Sequence, residues 1–169
     1  MTDMEKSAQT HPFPPLYGAR SRVLILGSFP SVKSREQQFF YGHPQNRFWR
    51  VLAAVFGEAV PADVAEKKAL ILRNRLALWD TIASCEIAGS SDASITNVVP
   101  NDLRPIFAAA DIRAVFCNGG TSYKWYNRLL RDGLGREARA LPSTSPANAR
   151  WTAEMLTEAW KQAILPYLE

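Results

Sequence analysis

VLILGSFPSVKSREQQFFYGHPQNRFWR, residues 23–50, decides how the rest of this 169-residue chain is read. Val23 to Leu26 is a short apolar run that breaks at Gly27 into Ser28, Phe29, Pro30 and Ser31. That is the pattern of a buried strand ending in a loop, not in a hairpin. The loop then concentrates hydroxyls (Ser28, Ser31, Ser34), cations (Lys33, Arg35), consecutive aromatics (Phe39, Phe40, Tyr41) and the polar run His43, Gln45, Asn46, Arg47. Hydroxyls and cations suit phosphate oxygens, and aromatic faces suit flat bases. An amide beside an imidazole can position water or a leaving group. The loop therefore holds the parts for handling a nucleotide.

Outward from this stretch, bulk properties narrow the field. At 47% apolar residues the chain is long enough for one well-buried core and short for two, so residues 22–169 are expected to form a single domain. A net charge of +4 and a pI near 9.3 tilt towards a polyanionic partner without requiring one. No apolar run approaches the roughly 20 residues that span a bilayer, and the N-terminus lacks the order of a signal peptide. A cytoplasmic protein with no membrane partner is expected. Cys85 and Cys117 form no C-x-x-C pair, and with His11 and His43 as the only histidines a metal site is not expected.

Residues 1–21 read as an arm laid over the surface, because Met1 to Arg20 is polar, carries Pro12, Pro14 and Pro15, and has no period that would make a helix or strand. Phe48, Val51, Leu52, Val55 and Phe56 recur at helical spacing up to Gly57, which puts Asn46 at or just before a helix N-terminus, where the dipole favours negative charge. Further helices are expected over Ala62 to Arg75, Leu103 to Ala110 behind an Asn101-Asp102 cap, Thr121 to Leu130, and Trp151 to Ile164. Leu76 to Ala83 is an apolar run interrupted by Asp80, Glu86 to Ser94 a small-residue loop, and Ile95 to Val99 a short strand or extended connector. Ala114 to Cys117 and Glu137 to Leu141 complete the strands. Strands and helices alternating in this way predict an α/β fold, a three-layer α/β/α sandwich around a mostly parallel sheet of four or five strands. In such sheets functional loops gather at the carboxyl ends of the strands, which would bring Gly27 to Asn46, Asp80, Asn118 to Thr121 and Leu141 to Asn148 to one edge.

Three motifs, GSFPS at 27–31, HPQNRFW at 43–49 and LPSTSPAN at 141–148, resemble the uracil-DNA glycosylase superfamily. The first two are similar to the mismatch-specific uracil and thymine glycosylases, where a GxNP loop precedes HPxNRFW. With Trp79-Asp80 and LPSTSPAN added, the chain most resembles the hypoxanthine-DNA glycosylase (DNA-deoxyinosine glycosylase) family. The likeness runs from Arg22 to Trp160. It implies a monofunctional enzyme that flips a deaminated base from DNA and hydrolyses its N-glycosidic bond, with DNA as partner and no metal or organic cofactor; separately, a monomer is expected. Phe29 stands where mismatch-specific relatives place a water-orienting Asn. In the hypoxanthine branch the residue matching Asn46 is the implied catalytic one.

Each candidate has a plainer alternative. Asn46 could donate to the leaving base or hold water, or it could simply cap its helix. Asp80 falls where the superfamily strand commonly carries a base-reading Asn; as a carboxylate it accepts only, which suits the N1–H of hypoxanthine and repels the O4 of uracil. Alternatively it ends a strand in solvent. Phe29, Phe39, Phe40 and Tyr41 could stack on a flipped base or belong to the core. Ser31, Ser34, Ser143 and Ser145 suit flanking phosphates, and also suit turns. Asn148 and Arg150 lie in the segment that enters the duplex in relatives, and Arg150 could equally be a solvated cation. Asn118 and Gly119 could approach the base by backbone, although a tight strand-to-helix turn needs glycine anyway. Three readings follow: a deoxyinosine-directed enzyme, a uracil-directed enzyme of the same fold, and a non-catalytic binder of damaged DNA.

Overall fold

All five residues of Val23–Gly27 are buried, so their backbone groups must find partners on both sides. In the computed structural model, which describes residues 5–169, they do so within a four-stranded sheet. The strands in chain order are β1 (Ser7–Thr10), β2 (Val23–Gly27), β3 (Leu76–Asp80), β4 (Ile82–Ile87), β5 (Thr96–Pro100), β6 (Ala114–Asn118) and β7 (Arg139–Leu141). The helices are α1 (Val32–Gln37), α2 (Phe48–Phe56), α3 (Val64–Arg73), α4 (Arg104–Ala109), α5 (Gly120–Leu129), α6 (Arg131–Leu134) and α7 (Ala153–Ile164). The main sheet has the order β3-β2-β6-β7 and is parallel throughout. Helices flank it, with α2 against α7, α3 against β3 and α5 against β6. The expected α/β class with a parallel sheet is what the chain forms.

Near-continuous apolar strands buried on both faces are the mark of such a sheet. Leu24, Ile25, Leu26, Leu76, Leu78 and Phe116 are fully enclosed, as are Phe48 and Trp160 from the helices. Each such side chain contributes about 1.5–3 kcal/mol by leaving water. The register sets Gly27 opposite Asp80 and Asn118 opposite Leu141, so the strands end in one row.

The run Leu76 to Ala83, read as one strand, is two. It breaks at the buried Thr81, whose N–H donates to the Gly27 carbonyl at 2.8 Å. The amide nitrogen of Asn101 donates to the carbonyls of Asp80 and Ile82, at 2.7 and 3.1 Å, and staples the break. Asn101 is thus a bridge between strands and not a helix cap. Beyond Thr81 the chain enters a second, antiparallel sheet of order β1-β4-β5, which also claims Glu86 and Ile87 from the expected loop.

The arm is corrected in the same way. Residues 1–4 lie outside the described residues, but Ser7–Thr10 is a strand paired with β4, Thr10 standing opposite Ser84. Further on, Leu16 exchanges backbone hydrogen bonds of 3.0 and 2.8 Å with Leu78 and covers the outer edge of β3. Some boundaries move. The second long helix is Val64–Arg73, capped by Asp63 accepting from the Glu66 N–H, and the last strand is Arg139–Leu141. Gly119, at φ 93°, precedes α5 in place of Thr121.

Candidate active site

At the carboxyl edge of the main sheet lies a cavity of about 490 Å³, lined by the loops after β2 and β7, by Asp80 and Asn118 at the ends of β3 and β6, and by residues 90–93. Its size is in the range of small-molecule sites, about 300–1,000 Å³.

Asn46 lines it, and its amide is held from one end. The oxygen Oδ1 accepts from the Phe48 backbone N–H at 2.9 Å and from the Thr144 hydroxyl at 2.9 Å. Thr144 is fully buried and tied in turn to Asn118, whose Nδ2 donates to Thr144 Oγ1 at 3.0 Å and whose Oδ1 accepts from Thr144 N–H at 3.1 Å. Backbone N–H groups only donate, so Phe48 fixes which end of Asn46 is oxygen and Thr144 does the same for Asn118. The consequence is chemical. The Phe48 N–H at the start of α2 and the Thr144 hydroxyl engage the oxygen of Asn46, and its NH₂ end has no protein acceptor among the described residues. The amide of Asn118 is engaged at both ends by Thr144.

Asp80 ends β3 and is 4% exposed, so it does not point into solvent. Its Oδ2 is 2.7 Å from Nε2 of His11, whose side chain is 3% exposed. His11 arrives there because β1 pairs with β4 and the His11 N–H continues that pairing to the Ala83 carbonyl at 2.7 Å. Oδ1 of Asp80 turns the other way, against Gly27. A Cβ on Gly27 would stand 2.4 Å from it and 3.0 Å from the Tyr41 hydroxyl, so this close approach needs glycine. Tyr41, itself at φ 52°, stacks on Phe48 at 3.8 Å between centroids, and its buried hydroxyl has no hydrogen-bond partner among the described residues. Burial first, and the charge of Asp80 second, raise its phenol above the ordinary value. It is a neutral donor.

The remaining candidates divide. Phe29 and Phe40 are buried and line the cavity. Phe39 does not line it; its ring stacks on Trp49 at 6.0 Å in the core. Ser31 caps α1 by accepting from Ser34 N–H at 3.1 Å, while Ser34, 2% exposed, accepts from Gly42 N–H at 2.9 Å and closes its loop. Ser143 and Ser145 stand at the cavity and accept backbone N–H groups two residues on, as turn residues do. Asn148 donates to the Ser143 carbonyl at 3.0 Å, and Arg150 is exposed and outside the cavity lining.

Four contributors have no assigned role in the sequence reading. Thr144 sits inside LPSTSPAN but reads as a turn residue. Arg47, inside HPQNRFW, holds the 143–151 segment by donating to the carbonyls of Ser145 (2.8 Å), Asn148 (3.1 Å), Trp151 and Thr144. Asp92 lines the cavity and accepts from the Ser28 hydroxyl at 3.0 Å. His11 carries no local signal at all. Among the described residues no group of His, Cys, Asp or Glu is arranged to hold a metal ion, and no helix is long and apolar enough to cross a membrane.

Known proteins share this sequence and fold. Hypoxanthine DNA glycosylase of Methanosarcina acetivorans is 35% identical over 147 residues, which cover 86% of this chain and 92% of that protein. Its counterpart in Methanosarcina barkeri is 31% identical over 153 residues, covering 89% and 95%. The solution NMR structure of a candidate uracil DNA glycosylase from Methanosarcina acetivorans superposes with a TM-score of 0.79 at 32% identity, over 96% of this chain and 99% of that one. The profile of the uracil DNA glycosylase superfamily matches residues 14–169, from the segment that covers β3 to the C-terminus. The cavity at the strand ends, and the motifs that build it, are therefore those of a chain that belongs to the uracil DNA glycosylase superfamily.

Proposed function

We propose that the protein is a monofunctional DNA glycosylase that takes a deaminated base, hypoxanthine above all, out of the DNA stack and hydrolyses its N-glycosidic bond. One observation carries the reading: Asn46 lines the cavity with its amide pinned by the oxygen, and its NH₂ has no protein acceptor among the described residues. As the bond to the sugar breaks, positive charge develops on the deoxyribose and negative charge on the departing purine. A preorganised donor at the purine stabilises that separation without reorganising, and it acts more strongly in a cavity than in water. Donation fits Asn46 better than water activation, because an oxygen that already takes two donors is poorly placed to draw a proton from water.

The base is read by Asp80, whose Oδ1 accepts the N1–H of hypoxanthine. Phe29, Phe40 and Tyr41 supply the apolar and stacking surface, a good stack contributing about 1–3 kcal/mol. Ser31, Ser143, Ser145 and Asn148 contact the DNA backbone around the extruded nucleotide. The names borne by the two Methanosarcina relatives support hypoxanthine as the substrate. The same reading takes the protein as a monomer working in the cytoplasm.

The direct test is a panel of oligonucleotides, each carrying one deaminated base and scored for strand breakage after alkali. Hypoxanthine-containing strands should break fastest. Binding to lesion duplexes with no alkali-labile product on any of them would overturn the enzymatic reading.

A further inference from the structure

We infer that His11 is a positioning residue for base selection: it holds Asp80 as an acceptor and so sets which base edge the cavity takes. The inference rests on the glycosylase reading above. His11 lies ahead of the residues that the superfamily profile matches and reaches the site only through the β1–β4 pairing.

The ring is dedicated to this one contact. Phe13 and Trp79 enclose it, with centroids 4.5 and 4.4 Å away, and Phe29 and Phe40 stand beyond them at 6.0 and 6.5 Å. Nε2 meets Asp80 Oδ2 at 2.7 Å, while Nδ1 is buried with no hydrogen-bond partner among the described residues. A ring placed for its own satisfaction would pair both nitrogens. This one leaves Nδ1 orphaned and keeps Nε2 on the carboxylate.

Donation from Nε2–H satisfies Oδ2 and leaves Oδ1 with lone pairs only, on the side of Gly27 and Tyr41. Such an oxygen accepts a ring N–H and repels a carbonyl. Without His11, Oδ2 loses the donor that fixes it and the carboxylate is free to turn, so Oδ1 is no longer held as the single acceptor beside Gly27. A carbonyl edge, such as the O4 side of uracil, then becomes acceptable.

The test compares His11→Leu with His11→Gln, both confirmed as folded by circular dichroism, on matched duplexes containing hypoxanthine or uracil. His11→Leu should raise the ratio of uracil to hypoxanthine release at least about tenfold, and His11→Gln, which keeps an N–H donor, should return it towards wild type. An independent NMR readout needs no turnover: the wild-type protein should show an imidazole N–H proton protected from solvent exchange, and Asp80→Ala should lose it. Equal loss of both substrates in the two variants, with the ratio unchanged, overturns the inference and leaves His11 a strut. Absence of the protected proton overturns it as well. Wild-type protein that releases no base while keeping the protected proton would instead bring down the glycosylase reading, and the selective role with it.

Discussion

The hydroxyl of Thr144 donates to the amide oxygen of Asn46 at 2.9 Å across 98 residues of sequence, and this bond joins the two most distinctive motifs of the chain. It also decides the orientation of the amide. Because Thr144 Oγ1 accepts from Asn118 Nδ2, its own proton has one place to go. Side chains from three strand ends thus hold the oxygen of Asn46 and leave its NH₂ without a protein acceptor among the described residues.

Thr144→Val keeps the shape of the side chain and removes this donor. Loss of one buried hydrogen bond amounts to about 1–2 kcal/mol, so base release should fall roughly 5- to 30-fold. Thr144→Ser should retain most of the rate. Single-turnover kinetics on both variants checks the claim, and a Val variant as fast as wild type would show that Asn46 needs no such support.

Gly27→Ala places a methyl group 2.4 Å from Asp80 Oδ1. The carboxylate must give way, although its other oxygen is held by His11, so Oδ1 loses its place beside Gly27. Base release should fall at least about tenfold, with a stability loss of about 1–3 kcal/mol by denaturant titration.

Arg47→Ala releases the carbonyls of Ser145, Asn148 and Trp151 together. The expected cost is about 2–4 kcal/mol, and Arg47→Lys should recover little of it, because an ammonium lacks the planar fork. Hydrogen exchange over residues 143–151 should accelerate in both variants before global unfolding. Unchanged protection there would detach Arg47 from the loop.

The phenol of Tyr41 gives a prediction in pH. Burial, then the charge of Asp80, hold it above its ordinary value of 10.0 in the folded protein. The unfolded chain releases that proton near pH 10 while the folded one retains it, so above this pH the unfolded state binds fewer protons and stability falls as pH rises. Tyr41→Phe removes the difference. Its alkaline unfolding midpoint, followed by circular dichroism, should lie higher than that of the wild type; an identical midpoint would contradict the burial of a neutral phenol.

What the sequence disclosed follows from how local each signal is. Val23 to Leu26 needed only its own apolar run, and α2 only its helical spacing ended by Gly57, whose φ is 64°. The break at Thr81 was hidden, because it depends on an amide at Asn101 that bridges two carbonyls from 19 and 21 residues away. Strand β1 was hidden for a related reason. Its residues are mostly exposed and show no alternation, so backbone pairing with β4 alone makes it a strand. With it went His11, whose importance lies wholly in a contact 69 residues distant. Asn46 presented a choice between capping and facing the cavity. The geometry commits the oxygen to the start of the helix and to Thr144, and leaves the nitrogen of this cavity-lining residue without a protein acceptor among the described residues.

The proposed role of that nitrogen is best tested on Asn46→Ala, by single-turnover release of hypoxanthine from a defined duplex alongside DNA affinity. Release at least about tenfold slower with affinity close to wild type is the predicted result. Release at the wild-type rate would contradict it and leave the cavity without its proposed catalytic donor.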